Sequence, residues 1–280
     1  MDEKIKTYIK NKLMSNMEKA FSRKSMKKLF QKHSQKNHYI SLHYRVAAGI
    51  VQSQSIQFGN FIEDLIKEMM NNDNSNFEIL TEFSGKRKCE FKLIKSNDAL
   101  IDEYITNRKI ENELEDQKKF KNLIEKISHN IKSDTFRQDN IITTNDIDLL
   151  FYSNSDNKIY YVEIKYNDDH DSGKFIDINR KLLKTFAYLK QEFSDKDVEI
   201  VPILYYFNEG AKKSKNVYLP KENIMYGHEF FEKFLSIDYY SLAEYLNNLS
   251  RDNDIRDKFN ELLNVVFEMT DDDIAHLLNE

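Results

Sequence analysis

Ile5, Ile9, Leu13, Met17 and Phe21 recur every four residues near the start of the chain, with lysines between them. A helix turns once per 3.6 residues, so this spacing gathers the apolar side chains into one stripe and predicts an amphipathic helix with a basic opposite face. Residues 38–57 are apolar with scattered polar groups, and Phe58, Ile62, Leu65, Ile66 and Met69 then restore helical spacing, predicting a helix over about 58–71. After that the period shortens to two. Phe77, Ile79, Thr81 and Phe83 alternate, Ser84-Gly85 offers a turn, and Cys89, Phe91 and Leu93 alternate with charged residues, which predicts a hairpin over 77–94.

Residues 97–131 have a charged helical texture with no apolar stripe wide enough for a buried element, so a helical insertion is expected at about 97–135. Residues 141–152 and 158–166 predict a second strand pair around the loop 154–157. Helical spacing returns in Phe175, Ile178, Leu182, Leu183, Phe186 and Leu189. The dense apolar run 198–207 predicts a central strand, although Pro202 requires a bulge or an edge there. From Pro220 onward three or four helices are expected. The order predicts an α/β fold: a mixed central β-sheet flanked by helices, with helical N- and C-terminal extensions. The expected boundaries are a basic helical extension over 1–57, a core over 58–207 and a helical region over 208–280, all in one compact domain.

Composition narrows the class. With 40% hydrophobic residues, 19 Phe and 16 Tyr, the chain can bury a real core, and only 6 Gly and 2 Pro leave few positions for loops. The single Cys89 excludes an internal disulfide framework and is expected in the core or a strand. No apolar run approaches the roughly 20 residues that span a bilayer, and acids and lysines interrupt the start, so a cytosolic protein is expected. The net charge of −5 argues against a nonspecific nucleic-acid coat protein. Residues 1–45 nevertheless carry twelve Lys or Arg against three acids, and residues 252–280 nine acids against two bases. If the two ends lie on different faces, an acidic protein keeps a locally positive surface.

The chemistry concentrates in residues 145–167. Closing the second strand pair with 154–157 as the loop sets Ser153 opposite Lys158, which places Asp148 opposite Glu163 and Asp146 opposite Lys165. Facing carboxylates repel, and a cation between them removes the conflict. Clustered carboxylate oxygens with open positions suit Mg²⁺, and a lysine two residues beyond the glutamate reaches an attacking water. Acid-x-Lys also occurs at Asp2, Glu90, Asp116 and Asp156, but Glu163 alone combines apolar neighbours in a strand with a facing aspartate. Asp146 remains the alternative to Asp148, because hairpin register can slip. His170, among carboxylates in the following loop, is a metal ligand, a base or simply a hydrogen-bonded loop residue.

Asp148 followed by Glu163-Ile164-Lys165, in a helix, strand, strand, strand, helix, strand order, resembles the PD-(D/E)xK nuclease superfamily, which includes most type II restriction endonucleases. The resemblance covers about 58–207. It departs from the family only in Ile147, where the naming proline would stand. The run EIKYNDDHDSGKF followed by INRKLLKTFAYL resembles more narrowly the HinfI-like and TdeIII-like restriction enzymes, which cut short sites interrupted by an unspecified base. The resemblance implies a bacterial, cytoplasmic, Mg²⁺-dependent endonuclease that cuts a short symmetric site in double-stranded DNA, leaves 5′-phosphate ends and works as a homodimer. In that reading Asp148, Glu163 and the carbonyl of Ile164 hold Mg²⁺, Lys165 positions water, and Glu63 on the leading helix is a further acidic ligand or partner. Lys174, Asn179, Arg180, Lys181 and Lys184, with the basic stretch 211–216, are the expected DNA contacts. A repair nuclease or junction resolvase, or a non-catalytic DNA-binding protein on the same fold, is the alternative.

Overall fold

A computed structural model describes residues 1–73, 76–107, 113–133, 140–167, 172–209 and 217–279. The chain divides into two compact units, residues 1–65 with 237–280, and residues 66–236. Among the described residues no helix is long and apolar enough to cross a membrane.

The first unit is helical. It holds α1 (Glu3–Ala20), α2 (Arg23–Ser34), most of α3 (Leu42–Asp73), α8 (Tyr239–Leu249), α9 (Asn253–Glu268) and α10 (Asp271–Asn279). Asp2, Asp238 and Asp252 cap α1, α8 and α9 by accepting from backbone N–H groups of the first turn. Phe21, Met26, Phe30, Val46, Ile50, Val266, Ile274 and Leu277 form its core. Helix α3 starts at Leu42, well before the expected Phe58. The period was obscured because Val46, Ala47 and Ile50 face inward while Tyr44, Val51 and Ile56 are exposed, so apolar residues occupy both sides. Gly49 belongs in this helix because α2 approaches there: an added Cβ would meet Leu29 Cδ2 at 2.9 Å. The basic start and acidic end meet where Lys10 pairs with Asp252 (3.0 Å) and Asp254 (2.9 Å).

The second unit carries β1 (Phe77–Ile79), β2 (Gly85–Ile94), α4 (Lys95–Asn107), α5 (Glu113–Lys132), β3 (Asn140–Ile147), β4 (Leu149–Ser153), β5 (Lys158–Lys165), α6 (Ser172–Glu192), β6 (Glu199–Tyr206), β7 (Ile224–Tyr226) and α7 (His228–Phe234). Five strands form a mixed sheet in the order β1-β4-β5-β6-β7, with β5, β6 and β7 parallel, and β2 and β3 form a separate antiparallel pair. The expected mixed sheet with flanking helices is present. Helix α6 makes the crossover that parallel β5 and β6 require. Every residue of β5 except its two ends is buried, which explains the nearly continuous apolar run.

Two expectations need correction. The run 77–94 does not fold on itself as a hairpin; β1 pairs with β4 and β2 with β3, so it lies antiparallel to 140–153 and both are broken midway. The segment 97–131 is not short of apolar surface: Ile101, Ile105, Phe120, Leu123, Ile127 and Ile131 join the same core as α6 and the sheet. Two narrow stripes, one on each helix, together cover what one wide stripe would. Pro202 meets the edge alternative rather than the bulge. Its carbonyl accepts from Asn223 Nδ2 (2.8 Å), so its missing N–H faces the same side, where β7 pairs only with Leu204–Tyr206. A proline there costs no ladder hydrogen bond.

Candidate active site

The hairpin between β4 and β5 has the expected register, from Leu149 opposite Val162 to Ser153 opposite Lys158. Its four-residue loop closes with Asn157 N–H donating to Ser153 O (3.1 Å), and Asn157 takes φ 57°, a left-handed conformation that asparagine tolerates. The ladder ends at Leu149 because the chain turns away at Asp148, which belongs to neither β3 nor β4. Opposite this break the partner run has surplus length: Ile79 to Cys89 takes ten steps while Phe151 to Asn145 takes six. Half of the surplus turns at 80–84, pinned by Leu80 N–H donating to Leu150 O (2.9 Å) and Leu150 N–H donating to Ser84 Oγ (2.8 Å), and the other half is the register shift between Gly85 and Cys89.

The break aims Asp148 at the end of β5. Ile164 N–H donates to Asp148 Oδ2 (2.9 Å), and Lys165 Nζ donates to Glu163 Oε1 (2.7 Å), Ile164 O (2.9 Å) and Asp148 Oδ2 (3.3 Å). Asp148 and Glu163 are 7% and 1% exposed, so both carboxylates are nearly lost to bulk water. Asp146 does not face Lys165 as the extended register required; it is exposed on β3, which pairs with β2. Glu90, on the competing acid-x-Lys strand, faces Thr144 and has no facing carboxylate.

Helix α6 completes the site. Lys181 Nζ donates to Glu163 Oε1 (2.7 Å) and Asp148 Oδ1 (3.5 Å), placing this residue at the carboxylates. One turn further, buried Thr185 accepts from Asn145 Nδ2 (3.4 Å), and on β5 the Tyr161 phenol OH donates to Glu163 Oε2 (3.2 Å). Burial, with Glu163 and Asp148 nearby, holds the Tyr161 phenol well above its ordinary pKa, so it remains a donor. Burial alone would raise the Asp148 pKa, but Lys165, Lys181 and the Ile164 N–H outweigh it and hold the carboxyl below its ordinary value. Burial likewise opposes the charge on Lys181, and Glu163 and Asp148 more than offset it. Tyr161 and Thr185 were missed in the sequence. Strand alternation places Tyr161 on the face of Glu163 and Lys165, and that was the available signal.

Asn179, Arg180 and Lys184 are engaged by other partners. Asn179 is 2% exposed; its Nδ2 donates to Phe175 O (2.7 Å) and its Oδ1 accepts from Tyr218 N–H (2.7 Å), so it joins backbone segments and does not present its amide to a base. Arg180 Nε donates to Asp102 (3.1 Å), and Lys184 pairs with Asp98 (2.6 Å) and Asp102 (3.1 Å), which tie α6 to α4. Lys174 is exposed on the first turn of α6. Glu63 is partly buried on α3 and belongs to the first unit. His170 and the basic stretch 211–216 lie outside the described residues.

The donor set fits a divalent cation. The Lys165 ammonium touches an oxygen of Asp148, an oxygen of Glu163 and the Ile164 carbonyl at once, so three oxygens already converge on one cation. No three His, Cys, Asp or Glu side chains cluster among the described residues, so the other positions around such an ion would fall to water or phosphate oxygens.

Residues 1–250 match the family model described as Type II restriction endonuclease, HinfI. The chain is also 38% identical, over 270 residues, to the type II restriction enzyme HinfI of Haemophilus influenzae, covering 96% of this chain and all of that enzyme. It belongs to the HinfI family of type II restriction endonucleases. As a HinfI-family member it is a site-specific deoxyribonuclease acting on double-stranded DNA, and the repair-nuclease and non-catalytic alternatives fall away. No solved structure matches the chain.

Proposed function

We propose that the chain hydrolyses DNA phosphodiester bonds with Mg²⁺ held by the carboxylates of Asp148 and Glu163 and the carbonyl of Ile164, leaving 5′-phosphate ends. The observation that carries this reading is the convergence of those three oxygens on the Lys165 ammonium. When bound, Mg²⁺ would supply Lewis acidity toward the phosphoryl oxygens and toward water. Lys165, 22% exposed at the end of β5, then meets the attacking water, where its charge favours hydroxide and steadies the charge growing on phosphorus. The water oxygen bonds to phosphorus, the bond to the 3′ oxygen breaks, that oxygen gains a proton, and the phosphate stays on the 5′ end. Tyr161 and Lys181 hold Glu163 from two sides, fixing its carboxylate before substrate arrives. Exposed Lys174 is the residue we assign to a DNA phosphate.

One such centre cuts one strand. Two copies related by a twofold axis would cut both strands of a symmetric site, so we assign a homodimer on DNA. Plasmid incubated with Mg²⁺ is expected to give discrete fragments that ligate directly and that take a new 5′ label only after phosphatase treatment. Cutting undiminished in excess chelator, or ends bearing 5′ hydroxyls, would overturn the reading.

A further inference from the structure

Lys165 and Lys181 both donate to the same oxygen, Glu163 Oε1, each at 2.7 Å. Lys165 has the role assigned above, and nothing in that role requires a second ammonium. Taken together, Asp148, Glu163, Lys165 and Lys181 are two anions and two cations, so the cluster is neutral as it stands. A divalent ion would bring two further positive charges to carboxylates that are almost wholly buried. Uncompensated charge in such surroundings is expensive, so an ammonium must withdraw or an anion must enter. The Lys181 side chain is 29% exposed, which leaves it a path to solvent. DNA brings the anion in its phosphates.

We propose that Lys181 is a positioning residue that acts as the resident counter-ion of Asp148 and Glu163, competes with the divalent cation for Glu163 Oε1, and thereby makes metal binding depend on DNA. The inference rests on the reading of Asp148 and Glu163 as metal ligands. Without DNA, Lys181 holds the two carboxylates in register and disfavours the ion. With a phosphate in place, the same ammonium turns from Oε1 toward that anion and the ion enters a compensated site. Linkage is reciprocal, so the ion tightens DNA by the same factor as DNA tightens the ion. Arginine at 181 would keep the charge, whereas methionine keeps much of the length and removes it.

The test is Ca²⁺ affinity of the intact protein, measured by titration calorimetry with and without a non-cleavable duplex carrying the site mapped from plasmid cleavage. Lys181→Met is expected to bind Ca²⁺ at least about tenfold more tightly than wild type without DNA, since a nearby positive charge has gone. The factor by which the duplex tightens Ca²⁺ should fall, and Lys181→Arg should restore both values. Ca²⁺ affinity in Lys181→Met equal to or weaker than wild type without DNA would overturn the proposal, as would a variant weakened only in DNA affinity, the mark of a plain phosphate contact. If Lys181→Met does not fold, Lys181→Arg carries the test: Ca²⁺ affinity and DNA coupling near wild type support a charge effect, and loss of both overturns it. Asp148→Asn keeps the two failures apart. Ca²⁺ binding unchanged in that variant refutes the metal-site reading itself, whereas binding lost there and unchanged in Lys181→Met refutes only the role of Lys181.

Discussion

At position 148 the chain changes partners, from β2 on one side to β1 and β5 on the other, and the residue placed at that change is an aspartate. A buried carboxylate without compensation would protonate, and the Ile164 N–H, Lys165 and Lys181 keep this one ionised. The same physical chemistry operates outside the site at His228, whose imidazole and backbone N–H both bond Glu209. The side-chain bond to Glu209 raises the His228 pKa above its ordinary value. A raised folded value means that this contribution to stability is complete below the unfolded pKa of about 6.5 and disappears as pH rises through the folded value. Glu209→Gln is therefore expected to bring the His228 midpoint, followed by NMR of the ring, back down toward the ordinary value and to flatten the loss of stability over that range. An unchanged midpoint would contradict the assignment.

Among the elements, α6 shows how one helix can serve several surfaces. Lys181 faces the carboxylates, Thr185 faces Asn145 of β3, Arg180 and Lys184 face α4, and Asn179 fastens the helix to Tyr218. Asn179→Ala strands the Tyr218 N–H and should cost about 1–3 kcal/mol of stability by chemical denaturation, with the salt dependence of DNA binding unchanged. A change in that salt dependence with no loss of stability would restore Asn179 to the DNA surface. The helix itself was plain in the sequence, since Phe175, Ile178, Leu182, Leu183, Phe186 and Leu189 repeat at helical spacing and all are buried. The register from Leu149 opposite Val162 to Ser153 opposite Lys158 was legible too, because a four-residue loop sets the register of a short hairpin. What the pattern could not show was where the strands part. Alternation runs through Asp146 and Asp148 alike, and the break lies opposite surplus residues of a distant segment, 79–89. Partner choice was hidden for the same reason: 77–94 alternates like one arm of a hairpin, and only its pairing with 140–153 shows otherwise.

For the molecule as a whole, sequence-specific cutting must coexist with a net charge of −5. Some of the N-terminal basic charge is consumed internally, as Lys10 with Asp252 and Asp254 shows, so the free positive charge at this end is smaller than the sequence implied. Each phosphate neutralised by Lys or Arg still releases counterions, and specific DNA affinity should fall steeply with added salt in filter-binding or anisotropy measurements. A flat affinity between low and moderate salt would contradict this. The measurement closest to the central claim is a Mg²⁺ titration of plasmid cleavage by wild type, Glu163→Gln, Asp148→Asn and Asp146→Asn. Each change removes an anion while keeping side-chain shape. Wild type and Asp146→Asn are expected to cut with similar Mg²⁺ dependence, and Glu163→Gln and Asp148→Asn to lose at least about a hundredfold in rate, since each loses a charge that steadies the reacting centre. Near-normal cutting by Asp148→Asn together with loss in Asp146→Asn would contradict the account and move the centre to the exposed aspartate on β3.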